Sequence, residues 1–215
     1  MARYAFIWDM DGTLVDSYPA IVPAAREALA LHGLVCSEEE IYARAMAGSV
    51  AALLEQTAAE RGLDLAALKA AFDRLNDSRI ADIRPMPHAA EALAALERAG
   101  QRNFVYTHRG ASCRTILEQT GLAPFFTELV TALDGFPRKP APDGILYLLG
   151  KYGLDPARSF YVGDRSLDVA AAENAGIGSI LYLPPASPVE PSGRESHVVR
   201  DLLEIPALIA RAPGV

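Results

Sequence analysis

Apolar and polar positions along this chain follow two textures, with a change of period between them. Tyr4-Ala5-Phe6-Ile7-Trp8 is an unbroken aromatic and aliphatic run, the pattern of a strand buried on both faces. It stops at Asp9-Met10-Asp11-Gly12, where two acids and a glycine predict a strand end and a turn. The spacing then becomes helical: Ile21, Ala25, Ala28, Leu29 and His32 share one face and stop at Gly33. Ser37 before Glu38-Glu39-Glu40 predicts an N-cap with acids in the first turn, where the helix dipole favours them. Further helices are expected over about 49–61 and 64–80, divided by Gly62. No strand-like run interrupts residues 16–83, so they are expected to form an all-helical block.

From Pro85 onward strands and helices alternate. Helices are expected over about 87–99, 111–120, 142–152, 167–175 and 201–211, and strands over 103–107, 128–131, 159–163 and 179–183. This alternation predicts an α/β fold, a Rossmann-like parallel sheet with helices on both faces. A single strand cannot bury itself, so residues 4–8 must join that sheet. The expected organisation is a core of residues 1–15 and 84–215 with the helical block 16–83 inserted into it. Pro184–Gly193, with four prolines, reads as an irregular surface loop.

Composition narrows the partners. The 215 residues are 51% hydrophobic and 22% charged, as in an ordinary globular chain. A net charge of −7 and a pI near 5.1 offer no basic face for nucleic acid. No apolar run reaches the roughly 18–20 residues of a membrane helix, and no basic, then apolar leader opens the sequence. Cys36 and Cys113 are too few for a disulfide framework and read as free packing thiols in a reducing cytoplasm. Alanine-rich helices suit a monomer and a homodimer equally.

The candidate chemistry lies at the carboxyl ends of the expected strands, where ligands bind in open parallel sheets. The first strand ends in Asp9 and Asp11, and the second in Thr107-His108-Arg109-Gly110. The third leads to Arg138-Lys139-Pro140, and the fourth ends in Gly163-Asp164, with Asp168 four residues on. Alone, Asp164 and Asp168 also suit an N-cap and a first-turn acid, and Thr107 an ordinary strand residue. Lys139 is one of only three lysines in a chain that otherwise uses arginine. Together the set suits phosphoryl transfer. Asp9 and Asp164 would hold Mg2+ through hard oxygen donors, and Asp9 would attack phosphorus. Thr107 and Lys139 would hold phosphate oxygens, and Asp11 would move the proton. His108, Arg109 and Arg165 are candidates for substrate contact or support. Arg44 and Ser49, near the turn Ala47-Gly48-Ser49, are candidates for the leaving group.

With Asp9-Met10-Asp11-Gly12-Thr13-Leu14-Val15-Asp16-Ser17, Thr107, Lys139-Pro140-Ala141-Pro142 and Gly163-Asp164-Arg165-Ser166-Leu167-Asp168 in view, the chain resembles the haloacid dehalogenase superfamily. Within it, the resemblance is to the phosphoglycolate phosphatase-like branch. It implies Asp9 as nucleophile and Asp11 as acid/base whose backbone carbonyl also meets Mg2+. It further implies Thr107 and Lys139 as phosphate ligands, Asp164 as a metal ligand, and the helical insertion as a mobile cap. The expected activity is Mg2+-dependent hydrolysis of a small phosphorylated metabolite through an aspartyl-phosphate. A β-phosphoglucomutase-like mutase and a non-catalytic phosphometabolite-binding protein are the alternatives. Ile21 stands where those mutases carry a histidine, and Asp11 stands where the dehalogenases lack an acid.

Overall fold

The computed structural model describes residues 3–185 and 187–210. The chain divides into two compact units: residues up to Asp16 with those from Arg84 onward, and Ser17–Ile83.

The first unit begins with β1 (Ala5–Trp8) and β2 (Val15–Asp16), and the second unit follows as α1 (Tyr18–Ala30), α2 (Glu38–Ala47), α3 (Val50–Arg61) and α4 (Leu65–Asp77). The chain then returns through β3 (Arg84–Pro85), α5 (Ala89–Arg98), β4 (Arg102–Tyr106), α6 (Ser112–Gln119) and β5 (Phe126–Val130). It finishes with α7 (Asp143–Tyr152), β6 (Ser159–Gly163), α8 (Ser166–Ala175), β7 (Gly178–Tyr182), β8 (His197–Val199) and α9 (Glu204–Ala210). The expected last helix thus starts later than Asp201, and its expected end at Arg211 lies outside the described residues.

Six strands form one sheet in the order β5-β4-β1-β6-β7-β8, and every neighbouring pair is parallel. β1 is central because Phe6, Ile7 and Trp8 are apolar on both faces; all three are fully buried, which contributes about 2 kcal/mol each. Successive side chains alternate between faces. Ala5 and Ile7 join Phe104, Tyr106, Val130 and Tyr161 under Ile145 and Leu148 of α7 and Ala171, Ala172 and Ala175 of α8. On the other face Phe6 stacks on Phe160, with ring centroids 5.9 Å apart. There the Trp8 indole N–H donates to Asn103 Oδ1 at 3.1 Å, and α5 packs against β4 and α9.

The sheet therefore runs outward from β1 on both sides, which makes the carboxyl ends of β4, β1 and β6 the point where strand order reverses. Trp8 pairs with Val105 and with Val162, so Asp9, Thr107 and Asp164 follow within two residues of one row.

Ser17–Ile83 has a core of its own, built from Val22, Ala25, Ala28 and Leu29 of α1 against Ile41, Leu53, Leu54, Ala58, Leu68 and Ala71. Its helices α2, α3 and α4 start at Ser37, Ser49 and Asp64, whose side chains accept the N–H groups of Glu40, Ala52 and Ala66 at 3.1, 3.1 and 2.9 Å. Gly62 takes φ 64 between α3 and α4, a conformation that glycine reaches without a Cβ clash.

Some elements differ from expectation. β8 falls where none was expected, because His197-Val198-Val199 is too short to carry a period and is a strand only by pairing with β7. β2 and β3, two residues each, pair antiparallel as Val15 with Pro85 and Asp16 with Arg84. α5 starts after, not at, Pro87, since His88 takes φ 62. The expected helix over 64–80 ends at Asp77, and a 3-10 turn over Ile80–Asp82 follows. Among the described residues no helix is long and apolar enough to cross a membrane.

Candidate active site

The loop after β1 is compact because one carbonyl holds it. Met10 C=O accepts the N–H groups of Thr13, Leu14 and Val15 at 3.3, 2.9 and 3.1 Å, and Gly12 turns with φ 80. The loop separates the two acids. Asp9 is buried, with its N–H donating to Val162 C=O at 2.8 Å. Asp11 is partly exposed.

Around Asp9 the sheet edge gathers charge. Lys139 Nζ lies 3.0 Å from Asp9 Oδ1 and 2.6 Å from Asp168 Oδ1. It also donates to the Tyr161 hydroxyl at 2.9 Å, which in turn donates to Tyr106 C=O at 2.6 Å. An ammonium has three protons, and these three acceptors take them all. Arg165 Nη2 donates to Asp9 Oδ2 at 3.0 Å. Asp164 Oδ1 accepts the Thr13 hydroxyl at 3.2 Å. Asp168 stands in the first turn of α8, where its Oδ2 accepts the Arg165 N–H at 3.2 Å. Gly163 is required beside it: a Cβ there would meet Asp168 Cβ at 2.4 Å.

The turn after β4 supports the same centre. Thr107 is buried, and its Oγ1 accepts the Arg109 N–H at 3.1 Å. His108 Nε2 accepts the Lys139 backbone N–H at 2.7 Å, so this histidine holds the lysine loop. Arg109 grips Asp11 through Nε and Nη2.

These contacts set the ionisation. Burial opposes charge on Asp9, but Lys139 and Arg165 outweigh it and hold its pKa down at about 2. Asp164 is also buried, and burial pushes its pKa up to about 7 despite Arg165, with Asp168 and Asp9 adding repulsion. Asp168 is raised, first by burial. His108 is pushed down to about 3 by burial and by Lys139 and Arg138, so it is neutral.

Carboxylate oxygens of Asp9, Asp164 and Asp168 lie within 4.8 Å of one another, all buried. Hard oxygen donors of this kind suit Mg2+. Asp164 is the telling member: a buried carboxylate with its pKa raised to about 7 lacks sufficient countercharge, and a bound cation reverses that balance. Lys139 and Arg165 engage both oxygens of Asp168 and both oxygens of Asp9, so a cation at this cluster would share these carboxylates with the two basic residues.

The sheet edge thus brings Asp9, Asp11, Thr107, His108, Lys139, Asp164 and Asp168 together. Arg44 and Ser49 lie in the helical unit. Arg44 Nη2 donates to Gln56 Oε1 at 3.1 Å, and the Ser49 hydroxyl caps α3. Sequence reasoning missed Thr13 and Tyr161. The signal for Tyr161 was available: a phenol in a buried strand needs a hydrogen-bond partner.

A parallel sheet carrying acid, hydroxyl, lysine and acid on its strand ends defines a hydrolase of the haloacid dehalogenase type. The family model described as haloacid dehalogenase-like hydrolase matches residues 6–182, and the chain belongs to that family. A phosphoglycolate phosphatase of Mesorhizobium japonicum is 29% identical over 227 aligned residues, covering 100% of both chains. An N-acetylmuramic acid 6-phosphate phosphatase of Pseudomonas aeruginosa is 30% identical, covering 82% of this chain and 80% of its own length. The crystal structure of a predicted phosphoglycolate phosphatase from Haemophilus somnus shares the fold, with a TM-score of 0.83 at 23% identity over 96% of this chain and 98% of that one. The protein is an enzyme of the phosphoglycolate phosphatase-like branch of its family.

Proposed function

We propose that the protein hydrolyses a small phosphorylated metabolite, of the phosphoglycolate or sugar-phosphate kind, by way of Asp9. The observation that carries this reading is a buried carboxylate held ionised, with its pKa at about 2, between Lys139 and Arg165. An anionic nucleophile meets an anionic phosphate only where such cations offset the repulsion. Asp9 attacks phosphorus, and the bond to the leaving oxygen breaks. Asp11 gives that oxygen its proton, then takes one from the water that opens the aspartyl-phosphate, restoring both acids. The Thr107 hydroxyl would donate to the phosphoryl oxygens, and the Lys139 ammonium would do so by giving up its contact with Asp9 as that carboxylate attacks. Mg2+ bound by Asp9 and Asp164, with the Asp11 backbone carbonyl as a further donor, would screen the phosphate charge. Tyr161 and Asp168 keep Lys139 in place, and His108 holds its loop.

The core of residues 1–15 and 84–215 is read as the catalytic domain and 16–83 as the substrate-selecting cap, with Arg44 and Ser49 as its candidate contacts. A cytoplasmic setting fits the free thiols. Mutase chemistry has no support at Ile21, which is buried in α1.

The test is phosphate release from p-nitrophenyl phosphate and 2-phosphoglycolate with Mg2+ and with EDTA. Asp9→Asn and EDTA should each reduce it by about a thousandfold or more. Equal release in all conditions overturns the reading.

A further inference from the structure

We propose that Arg109 is the positioning residue for Asp11, fixing the plane of its carboxylate for proton transfer to and from the reacting oxygens. This rests on the phosphatase reading above, in which Asp11 is the acid and base. Arg109 Nε donates to Asp11 Oδ1 and Oδ2 at 3.0 and 3.1 Å, and Nη2 donates to Oδ1 at 2.7 Å. The side chains are 4% and 20% exposed respectively, so the guanidinium is enclosed while the carboxylate keeps an open side.

Arg109 is itself held at several points. Its N–H donates to Thr107 Oγ1 at 3.1 Å, its C=O accepts the Ala132 N–H at 3.1 Å, and its Nη1 donates to Ser112 Oγ at 3.3 Å. Parallel pairing of β1 with β4 makes the meeting possible, because Trp8 opposite Val105 lets the two chains leave the sheet side by side, with Asp11 and Arg109 three and four residues on. A planar fork fixes a carboxylate in rotation as well as in position, which a lysine cannot do.

The grip is asymmetric. Oδ1 takes the two shorter contacts, 2.7 and 3.0 Å, and Oδ2 takes one at 3.1 Å. Oδ2 therefore takes the fewer contacts from Arg109 and is the oxygen proposed to pass the proton. In the first half-reaction the Oδ2 proton passes to the leaving oxygen as its bond to phosphorus breaks. In the second, Oδ2 receives a proton from the attacking water. What Arg109 adds to the acid step is orientation.

Leaving-group dependence separates this role from a structural one. p-Nitrophenolate leaves without a proton, whereas the alkoxide of glycerol 3-phosphate needs one. In Arg109→Met the ratio of kcat/KM for glycerol 3-phosphate to that for p-nitrophenyl phosphate should fall about tenfold or more. Arg109→Lys, which keeps a charge without the fork and serves if the Met variant does not fold, should lower the ratio less. Asp11→Asn should lower it at least as far, and Arg109→Met added to Asp11→Asn should lower it no further. An unchanged or raised ratio in both Arg109 variants, with the expected fall in Asp11→Asn, overturns the positioning role alone. No fall in Asp11→Asn overturns the acid/base reading and this inference with it.

Discussion

Two of the three lysines make the same bond in different surroundings. In the α/β unit Lys139 Nζ meets Asp168 Oδ1 at 2.6 Å, with side chains 0% and 1% exposed. In the helical unit Lys69 Nζ meets Glu55 Oε1 at 2.7 Å, with side chains 40% and 49% exposed. A distance alone does not distinguish them; the dielectric does. An exposed pair is screened by water and gives up side-chain entropy to form. A buried pair is held by partners that cannot be removed without stranding a charge. Full burial of charge follows the same division. Buried charged residues among those described are Asp9, Arg109, Lys139, Asp164 and Asp168, all in the α/β unit. The helical unit buries only Ser17, Thr57 and Asn76 among its polar residues. Charge is taken out of water where chemistry needs it, and elsewhere apolar packing suffices.

The most severe way to break this comparison is Lys139→Met. It leaves Asp9, Asp164 and Asp168 facing Arg165 with one cation fewer, so stability should fall by about 3–5 kcal/mol, read from urea midpoints. Activity should fall by about a hundredfold or more. A stability loss below about 1 kcal/mol would erase the distinction between the two lysines.

An intermediate effect is expected from pH. His108 has its folded pKa lowered to about 3 from 6.5, so the unfolded chain binds the extra proton between these values. Stability from this residue is complete above pH 6.5 and is lost as pH falls from there toward 3. Protonation would also remove the lone pair that accepts the Lys139 N–H. His108→Gln can supply a carbonyl acceptor that does not titrate. Urea midpoints at pH 7 and pH 5 should therefore differ less in this variant than in the wild type, and an equal difference counts against the assignment.

The smallest effect belongs to Lys69→Met, which should change stability by no more than about 0.5 kcal/mol in a thermal melt. A larger loss would show that the surface pair does more than its exposure allows.

How legible this was in the sequence depended on what each residue answered to. Asp9, Thr107, Lys139 and Asp164 could be placed because each follows an apolar run that ends abruptly, and parallel strands align such ends. The helical unit could be delimited because its period is uniform. Tyr161 is passed over because a tyrosine in an apolar strand first reads as packing; its phenol signals a need for some partner, and the structure shows that partner to be Lys139. The division of labour between Asp9 and Asp11 was partly hidden. In a continuing strand, residues two apart share one face, whereas the Met10 turn sends Asp9 to Lys139 and Asp11 to Arg109. β8 was hidden because three residues carry no period of their own. The same cap chemistry was read at Ser37 and overlooked at Ser49, whose hydroxyl the two helices use identically.

The short β2–β3 pair has a consequence for how such a chain can diversify. Asp16 and Arg84 are ladder partners, so their backbones stand about 5 Å apart. A two-residue turn spans that gap. The α/β unit is thus continuous in space although interrupted in sequence, and the gene can accept, exchange or shorten the passage coding for 17–83 without rethreading the sheet. Ser17–Ile83 becomes a replaceable cassette, and the strand ends that carry Asp9, Thr107 and Asp164 stay where they are.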